Sequence, residues 1–308
     1  MRLEELPLPT PGPGQMLVEV KAAGVNLFDT QLRSGLYRRD LPLTLGLEGA
    51  GVVVDPGTST AEFKPGDRVA FIFASGAYAS HTLVPAERTV PLPDGLGFED
   101  AAALLFQGLT AHYLATSTFP LASGTSCLVH SAAGGCGILL CQIAKIRGAL
   151  VIGAVSTPAK AEIARSAGAD HVVVYGEEDF EKAVKRITGG RGVDVAYDAV
   201  GLDTYVRSMN SLRPRGLLAL YGEASGDVPP IDPRELLVRK SLFLTRTGLD
   251  HYIADRSEMR ARTGELFGWA AEGRLKQKVF RTYRLEEVSD AHRALESRAT
   301  IGKLLVIP

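Results

Sequence analysis

The sequence predicts an α/β chain: a doubly wound, six-stranded parallel sheet and a second, mostly antiparallel β unit. Three observations predict it. From about residue 125, apolar runs alternate with helical patterns. Those runs lack polar alternation, as expected of strands covered on both faces. Before residue 95, short strands are broken by Gly and Pro turns, the pattern of an antiparallel unit. At 308 residues the chain is long enough for about two domains.

Along the chain, "MLVEVKAAGV", "AGVVVDPG", "DRVAFIF" and "ASHTLVP" read as strands, with "KPGD" a turn between two of them. "GFEDAAALLFQGLTAHYLATSTF" is apolar at helical spacing, and Glu99 and Asp100 mark its start. The parallel series is "SCLVH", "LVIGAV", "HVVVY", "DVAYDAV", "LLALYG" and "SLFLTR". Helices are expected over "TPAKAEIARSAGA", "EEDFEKAVKRITGG" and "LDTYVRSMNSLRPRG". A long helix around Met259–Glu272 follows, and the final "KLLVIP" is a strand that must join the β unit at the front.

Bulk properties narrow the function. Hydrophobic residues at 45%, charged residues at 22% and a net charge of −1 suit a soluble protein with no electrostatic nucleic-acid partner. No apolar run approaches the ~20 residues that span a bilayer. The start lacks the basic-then-apolar order of a signal peptide, so the cytoplasm is expected. Cys127, Cys136 and Cys141 lie within one strand–helix segment and read as small core residues of a reduced protein.

The segment "VHSAAGGCGILLCQIAK" carries the chemistry. A strand feeds Ala132-x-Gly134-x-x-Gly137 and then a helix, the dinucleotide fingerprint with Ala at its first glycine. Ala132 closes the turn, Gly134 admits a pyrophosphate to the backbone, and Gly137 lets helix and strand pack closely. The helix N-terminus favours the anion. The bland reading is glycines for close packing alone. An NAD site would place an acid about 20 residues on, at the end of "LVIGAV". The chain continues "STPAK" instead, with Ser156 and Lys160 where a 2′-phosphate would sit and Tyr175 at the next strand end. This favours NADPH. Lys160 as a solvated helix lysine and Tyr175 as a packing aromatic are the alternatives.

"AAGVNLFDTQLRSGLY", "LGLEGAGVV", "KPGDRV", "GLTAHYL", "HSAAGGCG", "DAVG" and "LESRATIGKLL", in this order over nearly the whole length, resemble the zeta-crystallin-like quinone oxidoreductases of the medium-chain dehydrogenase/reductase superfamily. The resemblance implies a Rossmann domain over 107–246 and a GroES-like catalytic domain built from 1–106 and 247–308. It also implies NADPH in the cleft between them and a homodimer. An apolar edge strand, Ser241–Arg246, is the expected dimer seam. The implied cofactor contacts are Asn26, Thr110, the loop residues Ala132, Ala133, Gly134, Gly135, Cys136 and Gly137, then Ser156, Lys160 and Tyr175. Val200, Tyr221, Gly222, Thr245, Arg246 and Arg298 complete the set.

The zinc dehydrogenases share this architecture, so the metal is checked residue by residue. Where they carry a cysteine and a histidine ligand, this chain has Asn26 or its neighbours and Leu47. Glu48 remains without Cys or His partners and reads as a hydrogen-bonded buried carboxylate. No metal is expected. Without a Lewis acid, the reaction suits acceptors that take reducing equivalents readily: quinones or carbonyl-conjugated alkenes. Candidate catalytic residues, by resemblance, are Asn26, Tyr37 and Thr110: donors or positioning groups around the acceptor. Turn capping, loop packing and a helix back-bond are their structural alternatives.

Two departures stand out. Relatives begin with a further short strand and turn, and those near the bacterial enzyme carry tyrosine where this chain has Gln31. The expected activity is NADPH:quinone reduction, with 2-alkenal or enone (enoyl) reduction as the alternative. An alternative of another class is a non-catalytic NADPH-binding protein, crystallin-like or RNA-binding, though no clustered basic stripe favours RNA.

Overall fold

The computed structural model describes residues 1–58, 62–74 and 76–308. The chain divides into two compact units: Met1–Leu109 with Asp255–Pro308, and Thr110–Ala254.

The first unit opens with β1 (Gln15–Val25), followed by α1 (Leu27–Ser34). β2 (Glu48–Asp55), β3 (Arg68–Ile72), β4 (His81–Pro85) and β5 (Thr89–Pro91) come next. All these strands pair antiparallel, β1 with both β2 and β4, β2 with β3, and β3 with β5. α2 (Phe98–Tyr113) then carries the chain into the second unit. The expected helix running to Phe119 gives way earlier, to a π-helical turn over Leu114–Thr118. There the Thr116 hydroxyl donates to the His112 carbonyl at 2.7 Å, one turn back, which loosens the backbone ladder.

In the second unit β6 (Ser126–His130), α3 (Gly135–Ile146), β7 (Leu150–Val155), α4 (Pro158–Ser166), β8 (His171–Val174) and α5 (Phe180–Ile187) alternate. β9 (Val193–Asp198), α6 (Tyr205–Asn210), β10 (Leu212–Leu220), α7 (Pro233–Val238), β11 (Phe243–Arg246) and α8 (Leu249–Tyr252) complete it. The six strands are parallel in the order β11-β10-β9-β6-β7-β8, the doubly wound arrangement. The apolar runs are buried as expected: β6 and β9 are buried along their whole length. Two expected elements are corrected here. The helix over "LDTYVRSMNSLRPRG" stops at Asn210, and Leu212–Gly216 belongs to β10. Pro214 has no N–H for a helix ladder, and Arg215 sits at φ 58° in an irregularity between the pairs Leu212↔Val193 and Leu217↔Val195. β11 likewise starts at Phe243 rather than Ser241, because Lys240 and Ser241 have φ of 78° and 56°.

The chain then returns to the first unit with α9 (Arg256–Ala271), β12 (Val279–Arg284), α10 (Val288–Glu296) and β13 (Lys303–Ile307). β13 pairs antiparallel with β1, from Ala23↔Val306 to Val25↔Leu304, so the last strand does join the first. β12 runs parallel to β13. The core mixes both chain ends: Met16, Val18 and Phe71 pack with Tyr283, Leu304 and Val306. Among the described residues, no helix is long and apolar enough to cross a membrane.

Candidate active site

The glycine loop sits where β6 ends. Ser131 takes φ 52°, and Gly134, in extended conformation, is the N-cap of α3 and places no side chain at the helix mouth. Gly137 is fixed by contact: a Cβ there would lie 2.1 Å from the Ser131 carbonyl oxygen and 2.9 Å from the Ala132 Cα. The helix therefore lies against the end of its strand.

Most of the other residues assigned to the cofactor lie at or after the C-terminal ends of this parallel sheet, where open α/β sheets bind ligands. After β7, Ser156 is exposed and Lys160 half-buried in the first turn of α4. The Lys160 N–H donates to the Thr157 side chain, and partial burial lowers the ammonium pKa. After β8, the Tyr175 hydroxyl lies 2.6 Å from His130 Nδ1 rather than turned to solvent, and burial raises its pKa. Of the two side chains, Lys160 is the more accessible. After β9, the Val200 N–H donates to Asp198. After β10, Gly222 packs against the residue that follows β9, since a Cβ there would lie 2.6 Å from the Ala199 oxygen. The Tyr221 hydroxyl is buried beside Cys136, which raises its pKa. On β11, Thr245 is half-buried and Arg246 pairs with Glu223 at 3.0 Å. Thr110 lies nearly buried within α2. Arg298 belongs to the other unit, exposed after α10 with φ 59°.

The sequence reading did not find the network beneath these ends. Asp198 is fully buried and accepts from the Val200 and Gly201 N–H groups and from Thr204 and Ser208, all within 3.1 Å. Ser208 lies 2.9 Å from His130 Nε2, and burial lowers the His130 pKa, keeping the ring neutral. A chain of contacts thus runs from Tyr175 through His130 and Ser208 to the loop that holds Val200. The one signal for Asp198 was its place at a strand end before Ala-Val-Gly.

In the β-rich unit, Asn26 precedes α1 and is 4% exposed. Its Nδ2 donates to Glu48 Oε1 at 2.7 Å, while its Oδ1 accepts from Lys303 Nζ at 2.8 Å. Lys303 Nζ also donates to Glu48 Oε1 at 2.5 Å, and the Phe106 N–H donates to Glu48 Oε2 at 2.7 Å. Glu48 is therefore the hydrogen-bonded buried carboxylate expected of it, and Lys303 is the partner that sequence reading missed. Gly24 makes room: a Cβ there would lie 2.4 Å from Glu48 Oε1. Below, the Asn26 N–H and the Tyr78 hydroxyl donate to Asp29 Oδ2 at 2.8 and 3.0 Å. Burial pushes the Asp29 carboxyl up to about 7, and its Oδ1 has no partner. Tyr37 follows α1, 39% exposed, with its ring 4.9 Å from that of Phe28, and Gln31 is half-buried on the same helix. No group of three or more His, Cys, Asp or Glu side chains placed to hold a metal is found among the described residues.

The chain is similar to known proteins over nearly its whole length. Residues 12–94 match the alcohol dehydrogenase GroES-like domain, and 135–266 match the family described as zinc-binding dehydrogenase. Quinone oxidoreductase 1 of Escherichia coli is 43% identical over 302 residues, 97% of this chain and 92% of that protein. The 2-haloacrylate reductase of a Burkholderia species is 42% identical over 313 residues, covering 99% and 94%. The crystal structure of E. coli quinone oxidoreductase complexed with NADPH superposes with a TM-score of 0.93 at 42% identity, covering 97% of this chain and 94% of that one.

Proposed function

The chain belongs to the quinone oxidoreductase family of the medium-chain dehydrogenase/reductase superfamily, and from that premise we propose that it is an enzyme passing reducing equivalents from NADPH to a quinone without zinc. One observation carries the cofactor choice. The bare glycine N-cap of α3 is followed, after β7, by Lys160 and no acid. A cation there complements a 2′-phosphate, whereas an acid would bind a free ribose hydroxyl.

The residues fit the group. Ala132, Ala133, Gly134, Gly135, Cys136 and Gly137 would hold the pyrophosphate at the helix mouth, and Ser156 and Lys160 the 2′-phosphate. Tyr175 would line the same end through its ring, its hydroxyl being taken by His130. Val200, Tyr221, Gly222, Thr245 and Arg246 would border the nicotinamide half, and Arg298 would add a distant phosphate contact. Bound NADPH supplies the reducing equivalents. Asn26 would donate a hydrogen bond to the acceptor oxygen as charge develops on it, Tyr37 would add its hydroxyl, and Thr110 would orient the nicotinamide.

The zinc-free reading is supported by the donor set. Both Glu48 oxygens are engaged by Lys303, Asn26 and the Phe106 N–H. A divalent cation would have to share this carboxylate with an ammonium, like charges at contact distance. The dimer reading is supported by β11, an edge strand with Phe243 61% exposed, close in sequence to the exposed Leu237 and Val238 of α7. We place the protein in the reducing cytoplasm, where Cys127, Cys136 and Cys141 stay as thiols rather than disulfides.

The similarity to 2-haloacrylate reductase favours a second acceptor class, the activated alkenes. An acceptor panel decides: with NADPH held constant, 1,4-benzoquinone and 9,10-phenanthrenequinone should give a higher kcat/KM than 2-chloroacrylate or a 2-alkenal. The reverse ranking makes the protein an alkene reductase. No oxidation with any acceptor would leave a nucleotide-binding protein that is not an enzyme.

A further inference from the structure

We propose that Lys303 and Glu48 are positioning residues: they lock the Asn26 side-chain amide in one orientation and leave it a single polarised N–H to offer the acceptor. This rests on the reading of Asn26 as an acceptor-facing donor. Lys303 and Glu48 are both 0% exposed. An ammonium carries only donors, so Lys303, 2.8 Å from Oδ1, can face only the carbonyl end of the amide. A carboxylate carries only acceptors, so Glu48, 2.7 Å from Nδ2, can face only the NH2 end. The flip that leaves most asparagines ambiguous is decided here by charge. One Nδ2 hydrogen goes to Glu48, and the other has no partner among the described residues. An ammonium on the oxygen draws charge from the amide and makes that remaining N–H a stronger donor. Glu48 cannot drift, because the Phe106 N–H holds its second oxygen. A buried ion pair gives a fold little that apolar residues would not, so its place here is accounted for by what it holds.

The chain has two asparagines, Asn26 and Asn210. Asparagine-selective 15N labelling therefore gives two side-chain NH2 pairs, and Asn26→Ala assigns them. In the nucleotide-free protein the Asn26 pair should be shifted downfield and slow to exchange with solvent. Lys303→Met alone strands a buried carboxylate and is expected to fold poorly. The neutral pair Lys303→Met/Glu48→Gln should melt near the wild type, return the Asn26 pair to ordinary amide shifts and lower kcat with a quinone about tenfold. The KM for NADPH should stay within about twofold, and the double substitution should add nothing on an Asn26→Ala background. Wild-type resonances and wild-type kcat in the double variant would overturn the proposal. Should that variant not fold, an ordinary, fast-exchanging Asn26 pair in the wild type overturns it alone. An Asn26→Ala protein turning over at the wild-type rate would instead sink the acceptor role of Asn26, while the resonances still judge the lock.

Discussion

Gly137→Ala tests the glycine loop by geometry alone. The new Cβ would lie 2.1 Å from the Ser131 oxygen, 2.8 Å from its carbonyl carbon and 2.9 Å from the Ala132 Cα. All three are backbone atoms, so no side chain can swing aside. Ordinary contact needs about 3.4–4 Å, and the N-terminus of α3 must lift from β6 by roughly 1 Å. Overpacking of this kind costs about 1–3 kcal/mol. At about 2–4 °C per kcal/mol for a domain of this size, the melting temperature should fall by roughly 3–10 °C. The lifted helix end also loses its grip on the anion, an interaction of about 0.3–2 kcal/mol, so affinity should drop by up to roughly 30-fold. The pyrophosphate is common to both nucleotides, so NADPH and NADH should weaken by the same factor. Thermal melts and fluorescence titrations with each nucleotide read both effects. Gly134→Ala, whose Cβ would lie 3.1 Å from the Ser131 oxygen and 3.8 Å from its Cβ, is the milder control. A Gly137→Ala protein that melts and binds like the wild type would refute the reasoning.

Three further outcomes are expected. Lys160→Ala removes a charge-assisted hydrogen bond of about 1.5–3 kcal/mol and should weaken NADPH by roughly 10- to 100-fold while NADH barely changes; equal losses would make Lys160 a fold-supporting helix residue. Buried Asp29 holds its proton up to about pH 7 when folded and releases it near 3.8 when unfolded, so its contribution to stability is full below 3.8 and lost as pH rises through 7. The melting temperature of Asp29→Asn relative to the wild type should therefore climb between pH 4 and 7 and level off above; a flat difference would show that Asp29 ionises at its ordinary pH. Phe243→Arg, on the edge strand, should convert a dimer to monomers in light scattering at micromolar concentration, and a wild-type monomer or a dimer unaffected by the substitution would place the seam elsewhere.

What the sequence made legible was local. β6 and β7 span the residues expected of them, because strands covered on both faces leave uninterrupted apolar runs. Ala132, Gly134 and Gly137 were legible because a tight turn and a close helix each demand a small residue at a fixed step. Periodicity said little where polar or rigid residues enter a strand, as Arg213, Pro214 and Arg215 do in β10. It was silent on the two buried networks, because each is closed by residues distant in the chain. Lys303 opens an apolar strand and looks like a flanking charge, yet its partners Asn26 and Glu48 lie near the other end of the sequence. Ser208 reads as a helix polar residue, and only the pairing of β6 with β9 brings it to His130. Register and topology, not residue type, assemble these sites.

The central claim meets its most direct test in one assay. Protein stripped with a chelator, desalted and shown free of zinc by elemental analysis is mixed with NADPH and 1,4-benzoquinone, and absorbance at the nicotinamide band is followed. The account predicts oxidation of NADPH at the untreated rate, with NADH much slower and no gain on adding zinc. Activity that disappears with the chelator and returns with stoichiometric zinc, or a preference for NADH, would contradict it.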